Sequence, residues 1–150
     1  MTVFIGSDHG GFAQKQAVFS SLVAEGFQVR DIGPHSLNLS DDYPDYAIQV
    51  AREVQKDPRA RGILLCRSGE GMEMAANKVS GIRAALVWKP EVAVETRRDN
   101  DANVIVLPSD FVSETEAQAI VRAFLATDFS GEERHQRRVE KMNELEKGLL

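Results

Sequence analysis

The chain has 150 residues, 43% of them hydrophobic and 27% charged, with a formal net charge of −5, a balance that suits one globular domain with a single continuous core. No broad basic field is present, which argues against nucleic acid or an anionic membrane surface as the main partner. The longest apolar runs, such as Gly62-Ile63-Leu64-Leu65, fall far short of the ~20 residues a membrane-spanning helix needs, and the N-terminus enters an apolar strand directly, so a soluble cytoplasmic protein is expected.

In chain order, Val3 to Gly6 is a short apolar strand, and Phe12, Phe19, Leu22 and Val23 then recur at helical spacing as far as Gly26. Phe27 to Ile32 alternates as a second strand and Gly33-Pro34 breaks it. Tyr46, Val50 and Val54 space a second helix ending before Pro58. Ile63 to Leu65 reads as a buried strand running into a glycine loop, with a helix near Met74 to Lys78. Ile82 to Trp88 and Val104 to Leu107 supply the fourth and fifth strands. Ser113 and Glu116 make a capping box ahead of Ala117, Ile120, Val121, Phe124 and Leu125; beyond Gly131 a charged helix over about 132–148 carries Val139, Met142 and Leu145. Repeats and linkers are absent, so residues 1–150 read as one domain.

Strands that are apolar on both faces and alternate with helices predict an α/β fold, a three-layer α/β/α domain with a mostly parallel five-stranded sheet, Rossmann-like in plan. Ligands in such sheets bind beyond the carboxyl ends of the strands. If strands one and three are neighbours, the loops after them flank a switch point. The first loop, Gly6-Ser7-Asp8-His9-Gly10-Gly11-Phe12, offers a carboxylate and an imidazole before a helix N-terminus; it reads as a sugar-phosphate cradle or as a tight turn capped by Asp8. The second, Cys66-Arg67-Ser68-Gly69-Glu70-Gly71, sets the chain's one cysteine beside a hydroxyl and glycine amides. Cys66 is a packed thiol or a reactive one. The helix dipole and Arg67 are expected to lower its pKa, with Glu70 and Glu73 opposing them. Arg134 and Arg138 lie four residues apart on one helix face, a phosphate grip or a solvated stripe, with His135 and Arg137 alongside. His35, in a Pro-containing loop, looks incidental.

Taken together these segments resemble the ribose-5-phosphate isomerase B family, which includes allose- and galactose-phosphate isomerases. The resemblance rests on Gly6 to Phe12, Asp42-Tyr43-Pro44, Cys66 with Ser68, Gly69 and Gly71, Ala75-Ala76-Asn77-Lys78, Gly81-Ile82-Arg83-Ala84, Asn100-Asp101-Ala102-Asn103 and Arg134 to Arg138, and spans nearly the whole chain. It implies a cofactor-free, metal-free aldose–ketose isomerase acting on ribose 5-phosphate and ribulose 5-phosphate. Alternatives are an isomerase of a tetrose, allose or galactose phosphate, and a non-catalytic sugar-phosphate binding protein. A homodimer, often paired into tetramers, is implied, with sites between subunits and the terminal helix packing on the partner.

Carried over from the resemblance, Cys66 is the base, Ser68 stabilises the enediolate oxygen, and Asp99 stands where cysteine-type members carry a ring-opening histidine. The implied substrate contacts are Asp8, His9, Tyr43, Arg67, Gly69, Glu70, Gly71, Asn100, Arg134 and Arg138, among which His9, Arg134 and Arg138 hold the phosphate. Two departures from the family pattern stand out, Asp99 itself and Arg67, which replaces the usual glycine after the cysteine. Either Asp99 does the histidine's work, which asks for a carboxylate of raised pKa, or the substrate is already open-chain. Members that use a glutamate base carry it where Met72 stands here.

Overall fold

Five parallel strands form the centre of the structure, a computed structural model that describes residues 1–149. In chain order the elements are β1 (Thr2–Ser7), α1 (Phe12–Ala24), β2 (Gln28–Gly33), α2 (Tyr43–Gln55), β3 (Arg61–Cys66), α3 (Glu70–Ala76), β4 (Ala84–Leu86), α4 (Pro90–Asn100), β5 (Val104–Pro108), α5 (Glu114–Ala126) and α6 (Glu133–Glu146). The sheet order is β2-β1-β3-β5-β4. The chain leaves β1 for β2 on one side and reaches β3 on the other, so β1 and β3 are neighbours and the expected switch point lies between them.

Alternation along the strands builds two apolar layers. Val3, Ile5, Ile63, Leu65, Ile105 and Leu107 meet Val18 and Leu22 of α1, Ala93 of α4 and Ile120 and Phe124 of α5. Phe4, Leu64, Cys66, Val104 and Val106 face the other way, onto Val50 and Val54 of α2 and Met72 and Ala76 of α3. This is the expected three-layer sandwich, and the capping box at Ser113 is formed in both directions with Glu116. Lys15, wholly buried, donates to both carboxylate oxygens of Asp31 and to the carbonyl of Pro34, tying α1 to the segment after β2.

Two elements differ from the sequence reading. The third helix begins at Glu70, because Gly69 at φ +85° turns the chain from strand to helix without further residues, and it stops at Ala76, where the Asn77 side chain takes over the bonding of Ala84 N–H and C=O. The fourth strand is cut to Ala84–Leu86, since Arg83 N–H is captured by the Asn103 side chain. The terminal helix lies within the expected span, with His135 and Val139 buried and a strongly charged outer face. Among the described residues no helix is long and apolar enough to cross a membrane.

Candidate active site

The carboxyl ends of β1 and β3 hold the thiol and its neighbours. Cys66 ends β3 and points toward α3; 5% of its surface is exposed, against 0% for Leu64 and Leu65 before it. The Gly69 N–H donates to Sγ at 3.1 Å. Burial pushes the thiol pKa up, the Gly69 amide draws it down, the Asp8 carboxylate raises it again, and the amides of Met72 and Ser68 favour the thiolate; the net direction is upward. Burial thus favours the neutral thiol over the thiolate at Cys66. The expected help from Arg67 is absent from this balance, because its Nε donates to Asp110 Oδ2 at 3.0 Å on an exposed rim. Glu73 plays no part in it either: its carboxylate accepts the Leu86 N–H.

The first loop folds close over this strand end. Asp8 is buried and its Oδ1 accepts the N–H groups of Gly10 and Gly11, at 2.9 and 3.1 Å, so the capped-turn reading of Asp8 holds alongside its place beside the thiol. His9 stands at the rim with Nδ1 2.6 Å from Asp41 Oδ1. Tyr43 opens α2 and lies over Gly71, where an added Cβ would fall 2.7 Å from the ring; glycine is what lets the phenol approach. Ser68 and Glu70 line a groove of about 540 Å³ with Leu86, Trp88 and Phe111, while Cys66 lies beneath the same loop and outside that lining.

Asp99, Asn100, Arg134 and Arg138 are elsewhere. Helix α4 runs back across the sheet, so its last residues, Asp99 and Asn100, come just before the start of β5, whereas Cys66 is paired with Pro108 at that strand's end. The separation is roughly 15 Å, the length of the strand. An ion-pair network holds this turn: buried Arg97 donates to Asp101 and to the Ala102 carbonyl, and Arg83 to the other Asp101 oxygen. Helix α6 begins at the same end, with the Ser130 N–H bonded to the Arg98 carbonyl. There the half-exposed Asp99 carboxylate faces His135 Nε2 at 3.4 Å, and Arg134 donates to Glu132. His135 is buried, and neither ring nitrogen has a hydrogen-bond partner among the described residues.

One chain thus gathers Asp8, His9, Tyr43, Cys66, Arg67, Ser68, Gly69, Glu70 and Gly71 at one end of the sheet and leaves Asp99, Asn100, Arg134 and Arg138 at the other. Sequence reading passes over Asp41, Tyr46 and Asp110. Burial raises the Tyr46 pKa, and the charges of Asp41, Asp45 and Asp8 raise it further, which sets the phenol among these carboxylates. The only signal for Asp41 is its position beside the Asp42-Tyr43-Pro44 helix start.

A parallel sheet with a thiol, a glycine loop and a capped first loop at its switch point places this chain among the small open-sheet α/β proteins whose ligand sites lie beyond the carboxyl ends of the strands. The ribose/galactose isomerase family model matches residues 3–142. A probable ribose-5-phosphate isomerase B of Mycoplasma genitalium is 44% identical over 97% of this chain and 95% of its own length. The ribose-5-phosphate isomerase B of Mycolicibacterium paratuberculosis is 42% identical over 98% and 92%. Among solved structures, the Mycoplasma genitalium enzyme with bound ribulose-5-phosphate superposes with a TM-score of 0.94, at 44% identity and 97% and 96% coverage. The Clostridium thermocellum ribose-5-phosphate isomerase B gives 0.93 at 41% identity over the whole of both chains. This chain belongs to the ribose/galactose isomerase family.

Proposed function

We propose that this chain interconverts ribose 5-phosphate and ribulose 5-phosphate by moving a proton between C1 and C2 of the open-chain sugar, with Cys66 as the base and no cofactor. The observation that carries the reading is Cys66 at the end of β3, with glycine-loop amides directed at its sulfur. Those amides lower the cost of the thiolate. The same loop, through the Ser68 hydroxyl and the N–H groups of Gly69 to Gly71, stabilises the enediolate oxygen, a charge that appears only as the proton leaves carbon. The thiolate takes the C2 proton of the aldose and returns it at C1, while a hydroxyl proton passes from O2 to O1, so the substrate is rearranged with no net gain or loss. Asp8 and Tyr43 contact sugar hydroxyls and His9 the phosphate.

The rest of the site comes from a second copy. Asp99, Asn100, Arg134 and Arg138 cannot reach the thiol of their own chain, and β4 is a short edge strand. At the thiol end this edge exposes Trp88 (50%) and Phe111 (76%), and toward the other end a groove lined by Asn100, Met142 and Leu145. A two-fold axis through this edge sets the thiol end of each copy against the arginine end of the other, and makes two equivalent sites in a homodimer. Arg134 and Arg138 of the partner subunit then grip the phosphate with His9, and Asp99 of the partner subunit serves ring opening.

Deuterium incorporation from heavy water into both sugars tests the reading. Exchange and conversion by the wild type and neither by Cys66→Ala are expected. Binding of the phosphate sugars without exchange would leave a sugar-phosphate binding protein, and turnover only of a tetrose or hexose phosphate would move the substrate.

A further inference from the structure

At the thiol end, His9 of the first loop pairs with a carboxylate that no motif in the sequence includes. We propose that Asp41 is a positioning residue for His9, holding the imidazole so that Nε2 meets the substrate phosphate; this rests on the reading of His9 as a phosphate contact. Asp41 Oδ1 accepts the His9 backbone N–H at 3.2 Å and lies 2.6 Å from the ring Nδ1. An ionised carboxylate can only accept, so Nδ1 carries the proton of that bond and the tautomer is set. Among the described residues Nε2 has no hydrogen-bond partner. Backbone and ring are held by one oxygen, which fixes both the χ angles and the face that the imidazole turns outward.

Burial separates the two roles. The Asp41 side chain is 4% exposed and the His9 side chain 33%, so the carboxylate stands behind the ring while the ring reaches the site. An exposed aspartate would trade its partner for water; a buried one keeps the imidazole, and the paired ring between them offsets its repulsion of a phosphate dianion. The loop has few other donors to offer an anion, because the Gly10 and Gly11 amides are spent on Asp8. Asp41 Oδ2 is sealed from solvent and the Tyr46 phenol lies beside the carboxylate, so the His9 ring is the group at this carboxylate that can carry a compensating positive charge. When the ring is protonated at both nitrogens, it donates Nδ1–H to Asp41 and Nε2–H to a phosphate oxygen, two charge-assisted bonds through one ring.

The test compares Asp41→Ala, which removes the acceptor, with Asp41→Asn, which keeps an acceptor and discards the charge. Loss of one charge-assisted contact predicts a KM for ribose 5-phosphate and an inhibition constant for inorganic phosphate about tenfold higher in Asp41→Ala, with kcat within about twofold. Asp41→Asn should fall between it and the wild type. In a His9→Asn background Asp41→Ala should add nothing, since Asp41 acts through the ring. Nitrogen-15 NMR of the His9 ring should find the proton on Nδ1 in the wild type and lose that preference in Asp41→Ala. Unchanged phosphate affinity with a lower melting temperature would make Asp41 a loop latch and overturn the proposal, as would additive losses in the double variant. A wild type that fails to isomerise ribose 5-phosphate would sink the functional reading instead, while phosphate affinity and the NMR signal would still decide the role of Asp41.

Discussion

The two ends of the sheet are built in different ways. At the thiol end the functional groups are held by backbone: Cys66 and Asp8 are buried, their partners are loop amides, and Gly69 and Gly71 allow contacts a side chain would block. At the other end Arg134 and Arg138 project into solvent from a helix anchored by few buried residues, and only the turn beneath them is rigid, through Arg97, Asp101 and Arg83. Groups that must be placed to a fraction of an ångström against carbon sit on the rigid end. On the proposed reading, the two arginines that recognise the phosphate charge sit on the open one, where long side chains adapt to it, and His9 is the phosphate contact that the rigid end supplies.

If that division is right, damage at the two ends has different kinetic signatures. The largest effect is expected for Cys66→Ala, a fall in kcat of at least about 10³-fold, the upper part of the range for loss of a general base, with the fold kept, as a melting curve would check. Next comes Gly69→Ala: φ +85° is costly for any L side chain and the new Cβ would run into Leu86, so the amide aimed at the sulfur is displaced. The displaced loop costs the thiolate its donor and shifts the oxyanion amides that follow it, which predicts a drop in kcat of about 10²-fold. Arg134→Ala or Arg138→Ala should raise KM about tenfold each and leave kcat nearly unchanged, with the affinity for inorganic phosphate falling in parallel. A fall in kcat instead would erase the distinction between the ends.

The smallest effect is on pH dependence. Burial and Asp8 hold the thiol above its ordinary range, so at neutral pH the reactive thiolate is the minor form. The fraction grows about tenfold per pH unit below the pKa, and kcat/KM should climb with pH and level off above it. Asp8→Asn removes one raising charge and should bring that plateau, and the ultraviolet titration of the thiolate, to lower pH. The same shift gives a stability contribution that is fully present below the ordinary thiol pKa and is lost as pH rises from there through the raised folded-state value, because the folded state favours the neutral form. A titration curve that does not move in Asp8→Asn would place the thiol outside the field of that carboxylate.

Most of the fold was legible because it is written in local periodicity. Apolar runs at Val3 to Gly6, Ile63 to Leu65 and Val104 to Leu107 are too short for helices and are the buried strands expected of them, and Ser113 with Glu116 caps its helix as the spacing says. The errors fell where side chains override the pattern, at Asn77 and Asn103, which end α3 early and shorten β4. The chemical residues were legible as a set, and their partition was not. Which end of the sheet Asp99 occupies depends on the direction of α4, and the pairing of His9 with Asp41 spans 32 residues. Arg67 shows the same limit: beside Cys66 in sequence, it spends its charge on Asp110, 43 residues away.

The central claim is that each site is completed by a second copy of the chain, and subunit complementation tests it most directly. Cys66→Ala and the double variant Arg134→Ala/Arg138→Ala would be assayed alone at ribose 5-phosphate far below KM, where the roughly hundredfold higher KM of the arginine variant leaves it nearly silent, then mixed, dissociated and reassociated under the same assay. A symmetric two-site dimer predicts that half the reassociated dimers are mixed and carry one intact site, so that about a quarter of wild-type activity returns. Mixed dimers confirmed by native mass spectrometry that regain no activity would contradict the account, because the thiol and the arginines would then belong to the same chain's site.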